Sequence, residues 1–366
     1  MRNPVSWLSG VYSVVISFSI ALVASLLLTL LARPLALRTG MVDHPGPRKV
    51  HARPVPLLGG VAIYLGAALA LLVSLRSHVY AQIFGILAGA TLVLIVGLLD
   101  DRGWLHHQIK LFVGMPMAAL ILLSAGIKTQ VLSSLLPVRI APLANALLTI
   151  VWVVGITAAF SILDHMDGLC AGVAAIASTF FMIFAIASGQ ELVSSLAAAV
   201  VGAAVGFLRW NFSPARIFMG DAGAMFLGFM VAALSLKLRF EGYRPFLAGM
   251  IPVLILAVPI FDTLLISVSR MRRGLVPFSS PGKDHTAHRL ANLGLGQRGA
   301  VLVMYGLGLV GGILALAASR LRLTGGFVLA MVVVLATVLA VLGLEWAPFE
   351  RQPKAGRALA TDPRQG

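Results

Sequence analysis

The chain has 366 residues, 59% of them hydrophobic, and a mean hydropathy of +0.97, which is too apolar for an ordinary soluble globule. It carries 28 Lys and Arg against 13 Asp and Glu, a formal net charge of +15. That charge is divided between the two ends of apolar segments, so it reads as membrane topology and attraction for anionic lipid or phosphate, not as a nucleic-acid surface. Cys170 is the single cysteine, which excludes an intramolecular disulfide and a zinc–thiolate cluster and reads as an inert core thiol.

Apolar runs long enough to cross about 30 Å of hydrocarbon are predicted as helices near 11–32, 57–75, 81–99, 110–126, 143–160, 171–188, 192–208, 223–238, 246–268, 299–319 and 325–345. The fold class is therefore all-α, a polytopic membrane protein of about eleven helices. The first run has only Arg2 ahead of it and no small-residue cleavage site, so it reads as a retained helix rather than a signal peptide. The runs 143–160 and 171–188 are the least regular, because polar residues shorten the gap between them. Residues 1–346 read as one transmembrane catalytic domain and 347–366 as a polar tail, disordered or lying on the membrane surface. With alternate loops on alternate sides, loops 33–56, 100–110, 161–170, 209–222 and 269–298 share a side with the tail. That side receives more than twice as many basic residues as the other. The positive-inside rule makes it cytoplasmic, with the N-terminus outside.

The same side collects every Asp. Asp43, Asp100, Asp101, Asp164, Asp167, Asp221 and Asp284 lie in or beside its loops, Asp362 in the tail, and Asp262 one to two turns inside a helix. Acids beside lipid are costly and usually functional, and solvation alone would distribute them to both sides.

In chain order, the loop HPGPRKVHARPVPLLGG (44–60) is basic and held off regular helix by its prolines. It suits a pyrophosphate, or serves only as a positive-inside anchor. Asp100-Asp101 ends an apolar run; hard carboxylate oxygens suit Mg2+, although a solvated helix end is the plain alternative. Asp164 and Asp167 in FSILDHMDGLCAG are spaced to share one face of a helical turn. Gly168 after them is placed to open backbone N–H groups to an anion, the alternative being a paired or capping acid. Segment 207–228 brings together Asn211, Arg209, Arg216, Phe218 and Asp221. An Asn beside an exposed aromatic is what a nucleobase pocket uses, whereas Asp221 could simply cap the next helix. In the long loop 269–298, His285 and His288 with Lys283 and Arg289 are placed to hold phosphate oxygens or transfer protons. GKD in that loop is not a phosphate-binding P-loop, since the earlier glycine and the following Ser or Thr are missing.

Six elements in register resemble the polyprenyl-phosphate N-acetylhexosamine-1-phosphate transferases: RKxHxxPxPxxGG at 48–60, DDxxxL with a later Lys at 100–110, DxxDGL at 164–169, FLxxN…PAxxFMGDAG at 207–223, PxxD at 259–262 and DHxxHRL at 284–290. The resemblance runs over roughly residues 41–290 and is closest to the bacterial undecaprenyl-phosphate GlcNAc-1-phosphate transferases of glycosyltransferase family 4. It implies a UDP-sugar donor, a polyprenyl phosphate acceptor, Mg2+ (with Mn2+ as a substitute), and a site on the cytoplasmic face of the bacterial inner membrane. It also implies a product that starts cell-envelope polysaccharide synthesis, and a homodimer is the candidate assembly. Carried over residue by residue, it makes Asp221 a metal ligand and places Asp100 and Asp101 by the metal and the lipid phosphate, with Asp100 also a ligand. Asp164 and Asp167, counted with Asp100 and Asp101 as catalytic, would line the nucleotide site, Asn211 and Phe218 would recognise uracil, Arg53, His285 and His288 would face the diphosphate, and Lys49 would bind substrate. The chain departs from the pattern at Ala158 and Ser161, where Asn is usual, at DHMDGL in place of DGLDGL, and at Ala287, where a His is usual. Those departures bear on sugar choice and nucleotide affinity. They leave two rivals: a sister transferase for another UDP-sugar or UDP-muramoyl-pentapeptide, and a catalytically degenerate membrane scaffold.

Overall fold

Each expected apolar run is helical in the computed structural model, which describes residues 4–44, 54–74, 80–276, 282 and 284–347. In hydrocarbon only a helix satisfies its own backbone polar groups within one segment. In order the helices are α1 (Pro4–Thr39), α2 (Gly59–Ser74), α3 (Tyr80–Asp101), α4 (His107–Ile109), α5 (Met115–Ser124), α6 (Ala141–Leu163), α7 (Leu169–Ser188), α8 (Glu191–Asn211), α9 (Gly220–Lys237), α10 (Pro245–Ile255), α11 (Ala257–Arg272), α12 (Thr286–Leu290), α13 (Gly296–Ala318) and α14 (Leu323–Glu345). Single π-helical turns join α4 to α5 and α12 to α13.

Among the described residues, eight helices are long and apolar enough to cross a membrane, or nine if α10 and α11 count as one span. The expected continuous span 246–268 is instead bent by 76°. Pro259 lacks the N–H that would bond back to Ile255, and its ring crowds that carbonyl, so the helix breaks at Leu256. The apolar helices Gly59–Val73 and Lys110–Ser124 fall short of that length. Several loops are also shorter than expected: α1 continues to Thr39, and only Asp164–Gly168 separates α6 from α7. Arg33 and Arg38 can extend from a helical end toward water without unwinding it.

Helix α9 is the axis of the bundle. It packs against α3, α6, α2, α7 and α8, and 83% of its most apolar window is buried, against 6% for α14. Where helices must come closest, the sequence supplies small residues, the usual solution when lipid offers no hydrophobic drive for association. A Cβ on Gly202 of α8 would lie 2.3 Å from the Phe18 carbonyl oxygen of α1, and one on Gly206 would lie 2.5 Å from the Leu22 carbonyl oxygen. Gly202→Leu is therefore expected to force α1 from α8 and to lower the melting temperature in detergent by several degrees, consistent with roughly 1–3 kcal/mol for overpacking. An unchanged melt would refute that contact.

One short non-helical assembly positions the chemistry. Strands β1 (Val42–Asp43) and β2 (Val55–Pro56) pair antiparallel, with Val42 opposite Pro56. The chain after β2 then ties to the start of α9. Phe218 N–H donates to the Pro56 carbonyl at 2.8 Å, Gly59 N–H to Phe218 at 3.0 Å and Gly60 N–H to Met219 at 3.0 Å. A Cβ on Gly60 would sit 2.2 Å from the Gly223 nitrogen, so the glycine pair 59–60 permits this approach.

Candidate active site

Two carboxylates from distant helices meet on one ammonium. Lys110 Nζ donates to Asp100 Oδ2 at 2.7 Å and to Asp221 Oδ2 at 2.9 Å. The three side chains are only 16 to 26% exposed, so water screens the pairing weakly and each charge depends on the others. Ser161 Oγ donates to the remaining oxygen of Asp221. Asp221 thus has both carboxylate oxygens engaged by donors from α6 and from the turn that opens α5.

Asp101 does something different. Its Oδ1 accepts the Asp221 N–H at 2.8 Å and its Oδ2 the Ala222 N–H at 3.2 Å, so a residue of α3 caps the first turn of α9. Asp221 itself makes no side-chain cap. The capping role open to Asp221 in the sequence belongs to Asp101, and a carboxylate there also meets the positive end of the helix dipole. Gly220 has φ +67°, and a Cβ on it would approach Asp101 Oδ2 to 2.3 Å. Glycine is required there on both counts.

The DHMDG segment is a turn, not the helical face expected for Asp164 and Asp167. Asp164 ends α6 with φ −80° and ψ 51°, and Gly168 enters α7 in the left-handed region at φ 78°. The two acids consequently diverge. Burial, then the neighbouring Asp221 and Asp101 carboxylates, hold the Asp164 carboxyl well above the usual carboxylate range. Asp167 Oδ2 accepts the Ala215 N–H at 2.9 Å. The Gly168 N–H, expected to be open to an anion, is taken by Asn211 Oδ1 at 2.9 Å, and Asn211 Nδ2 donates to the Ile217 carbonyl at 3.0 Å. Asn211 is buried and braces the 164–168 turn against the loop that carries Phe218, which is half-buried beside it. Tyr305 OH completes the brace from α13 by donating to the Gly168 carbonyl at 2.6 Å.

A histidine cluster adjoins this turn. His285 Nδ1 lies 3.0 Å from Asp262 Oδ2, while Asp262 Oδ1 accepts the Thr286 N–H at 2.7 Å and so caps α12. His165 stacks on His285 with ring centroids 3.8 Å apart, and His288 lies 4.8 Å from His165. Behind them Asp284 is bound by Arg270 Nη2 at 2.9 Å and by Arg273. Burial pushes its carboxyl up, but the two guanidinium groups outweigh that and hold it at about 2. Arg289 is fully buried; it donates to the Asp284 carbonyl at 2.9 Å, Ser269 Oγ at 2.8 Å and the Leu344 carbonyl at 2.6 Å, and it approaches Glu345 at 3.3 Å. It locks the histidine segment to the end of α14. Arg289→Ala would remove the donor that joins these four partners, leaving Glu345 only the longer Arg272 pairing at 3.9 Å, and the expected cost is about 3–5 kcal/mol for a broken buried ion pair. Arg289→Lys should recover little, because one ammonium cannot reach a fork of partners. Thermal melts of the two variants in one detergent test this, and full recovery by Lys would contradict it.

Of the residues expected from sequence, Asp100, Asp101, Asp164 and Asp221 converge, and Asp167, Asn211 and Phe218 line the adjoining turn. His285 and His288 form the neighbouring cluster. Lys49 and Arg53 lie outside the described residues. Sequence reasoning passed over Lys110 as a site residue, although a lysine at the mouth of an apolar run is a signal in itself. It also passed over His165, which looked only like a departure from a pattern.

Fold and site together define a polytopic membrane protein with an acid-rich, lysine-balanced centre at the ends of its spanning helices. The family profile of glycosyl transferase family 4 matches residues 83–239, the stretch that contains Asp100, Lys110, Asp164 and Asp221. The chain is 36% identical over 299 residues to the probable undecaprenyl-phosphate N-acetylglucosaminyl 1-phosphate transferase of Bacillus subtilis, covering 81% of this chain and 82% of that one. It is 34% identical to the decaprenyl-phosphate N-acetylglucosaminephosphotransferase of Mycolicibacterium smegmatis, covering 75% and 74%. With the undecaprenyl-phosphate alpha-N-acetylglucosaminyl 1-phosphate transferase of Thermotoga maritima the identity is 30%, covering 80% and 87%. The chain belongs to glycosyl transferase family 4.

Proposed function

We propose that this protein transfers GlcNAc-1-phosphate from UDP-GlcNAc to a polyprenyl phosphate and releases UMP. The observation that carries the reading is the Lys110 ammonium bridging Asp100 and Asp221, set in a chain whose relatives bear the names of such transferases. Phosphoryl transfer needs charge neutralisation and positioning more than covalent chemistry. An ammonium held between two carboxylates supports a centre that favours positive charge. Its donors are hard oxygens, which fit Mg2+, and Asp100 and Asp221 would hold the ion. Bound there, Mg2+ would neutralise charge on the diphosphate oxygens.

The remaining work falls to the chain. A phosphate oxygen of the lipid attacks the sugar-bearing β-phosphorus of the donor, a new P–O bond forms, and the bond from that phosphorus to the bridging oxygen breaks so that UMP leaves. Asp101, with both oxygens engaged by α9 amides, is a positioning residue that sets the start of α9 and so aims Asp221. Asp100, held by Lys110 beside Asp221, is the carboxylate suited to take a proton from the lipid phosphate. Lys110 offers charge to the phosphates, and the braced 164–168 turn places Asp164 beside them. The basic excess on one set of loops supports a cytoplasmic site in the inner membrane of a bacterium. It also supports eleven crossings, with the two shorter apolar helices and the bent pair included. A reporter fused after Arg351 should then score cytoplasmic.

The deciding assay offers labelled UDP-GlcNAc, undecaprenyl phosphate and Mg2+ to the detergent-solubilised protein and follows UMP and lipid-linked sugar. Parallel reactions with UDP-GalNAc and UDP-muramoyl-pentapeptide separate this reading from a sister activity. No UMP release with any of the three donors would overturn it.

A further inference from the structure

Asp262 is fully buried in the second turn of α11, and a carboxylate in an apolar span is costly enough to mark a function. Among the described residues no Lys or Arg pairs with it; its two oxygens go to the consecutive residues His285 and Thr286. The Thr286 N–H, 2.7 Å from Oδ1, is a capping contact, and an Asn would receive it as well as an Asp. The need for a charge therefore lies with the other oxygen, 3.0 Å from His285 Nδ1. A carboxylate is a weaker base than an imidazole, so the shared hydrogen sits on Nδ1 and His285 donates it. That leaves Nε2, on the far side of the ring from Asp262, as the nitrogen that can gain and lose a proton. Nε2 meets no protein group among the described residues. His165 lies against the same ring, with centroids 3.8 Å apart. The hydrogen bond fixes the direction of the imidazole, and the stack fixes its plane.

We propose that Asp262 is a positioning residue for the sugar-phosphate transfer described above, on which its role rests: it holds His285 as the Nδ1–H tautomer, so that Nε2 is the nitrogen offered to the donor diphosphate. Which nitrogen of a histidine can act is set by the hydrogen bond that the other one makes. With Nδ1–H bonded to a carboxylate, the ring also bears positive charge at less cost. That favours an Nε2–H directed at a phosphate oxygen while the bond to the departing UMP breaks. The backbone beside the ring is fixed independently, because Arg270 and Arg273 grip the preceding Asp284. Orientation of the imidazole is thus the part left to Asp262.

Asp262→Asn separates orientation from capping. Asn Oδ1 keeps the Thr286 N–H, which places the NH2 against His285 Nδ1 and forces the ring hydrogen to Nε2. In full-length protein with 15N-labelled histidine, His285 Nδ1 is expected to give a protonated, pyrrole-type signal, assigned by its absence in His285→Gln. In Asp262→Asn that signal should become pyridine-type. Turnover should fall by about a hundred-fold, at the lower end of what a positioned proton-transfer group supplies, with the loss in kcat rather than KM and little change in melting temperature. In a His285→Gln background the same substitution should cost nothing further, because the ring it orients is gone. A pyridine-type Nδ1 in the wild type, unchanged turnover in Asp262→Asn, or an equal loss in both backgrounds would each overturn the role. The wild-type signal decides by itself if Asp262→Asn fails to fold. Absence of transfer by the wild type with every donor would sink the transferase reading instead, and the Nδ1 signal would still decide the tautomer.

Discussion

Asp221→Asn is expected to reduce UMP release by about a thousand-fold, at the upper end of what removing one electrostatic contact costs in an enclosed site. The reason lies in the donors that converge on this carboxylate. Ser161 Oγ donates to one oxygen and Lys110 Nζ to the other, at 2.9 Å. An Asn side chain has the same shape, but it can accept at only one end. Its NH2 would face either the lysine or the serine, which turns an attraction into an opposition of two donors. The charge that would hold a divalent cation is lost as well. Steady-state assays across a Mg2+ titration test this, and full Mg2+-dependent turnover in Asp221→Asn would refute the assignment of Asp221 as ligand. Ser161→Ala removes one neutral donor and leaves the carboxylate charged, so it should cost much less, on the order of ten-fold.

Lys110→Met should be nearly as damaging, with an additional effect on stability. With the ammonium gone, Asp100 and Asp221 face each other with no cation between them, and Asp101 and Asp164 stand close by. Turnover is expected to fall by about a hundred-fold or more, and the melting temperature in Mg2+-free buffer by several degrees. Two further measurements separate charge balance from simple misfolding. Adding Asp100→Asn to Lys110→Met should recover most of the melting temperature without recovering turnover, because it relieves repulsion but restores no cation. Saturating Mg2+ should also raise the melting temperature of Lys110→Met more than that of the wild type. If neither rescue occurs, Lys110 is only a packing residue and the charge-balance account fails.

Much of the fold could be read from one dimension, for a definite reason. A helix in hydrocarbon must be long, apolar and internally hydrogen-bonded, so composition alone marks where each apolar run lies. The break at Leu256 was legible in principle from Pro259 but was hidden by unbroken hydropathy on both sides. The helical ends extended past the expected boundaries because polar residues such as Arg38 and Asn211 stay helical where tertiary partners or water receive them. Hydropathy cannot see that.

For the site, the acids were visible because carboxylates beside lipid are too costly to be incidental, and their shared side followed from the charge asymmetry of the loops. Which acid does what was not visible. Adjacent residues Asp100 and Asp101 carry the same chemistry in the sequence, yet one pairs with Lys110 and the other caps α9. Asn211 suggested a ligand contact, and only the fold revealed that one donor and one acceptor of its amide also brace Ile217 and Gly168. His165 stood out only as an irregularity until the fold laid it on His285.

The sequence by itself determined a polytopic helical protein with its acids gathered at one face, because the energetic cost of polar groups in hydrocarbon is paid residue by residue. The tertiary structure alone decided the roles of those acids and histidines, because a hydrogen bond depends on which donor arrives from another segment, and that is set by packing between segments from ten to more than a hundred residues apart.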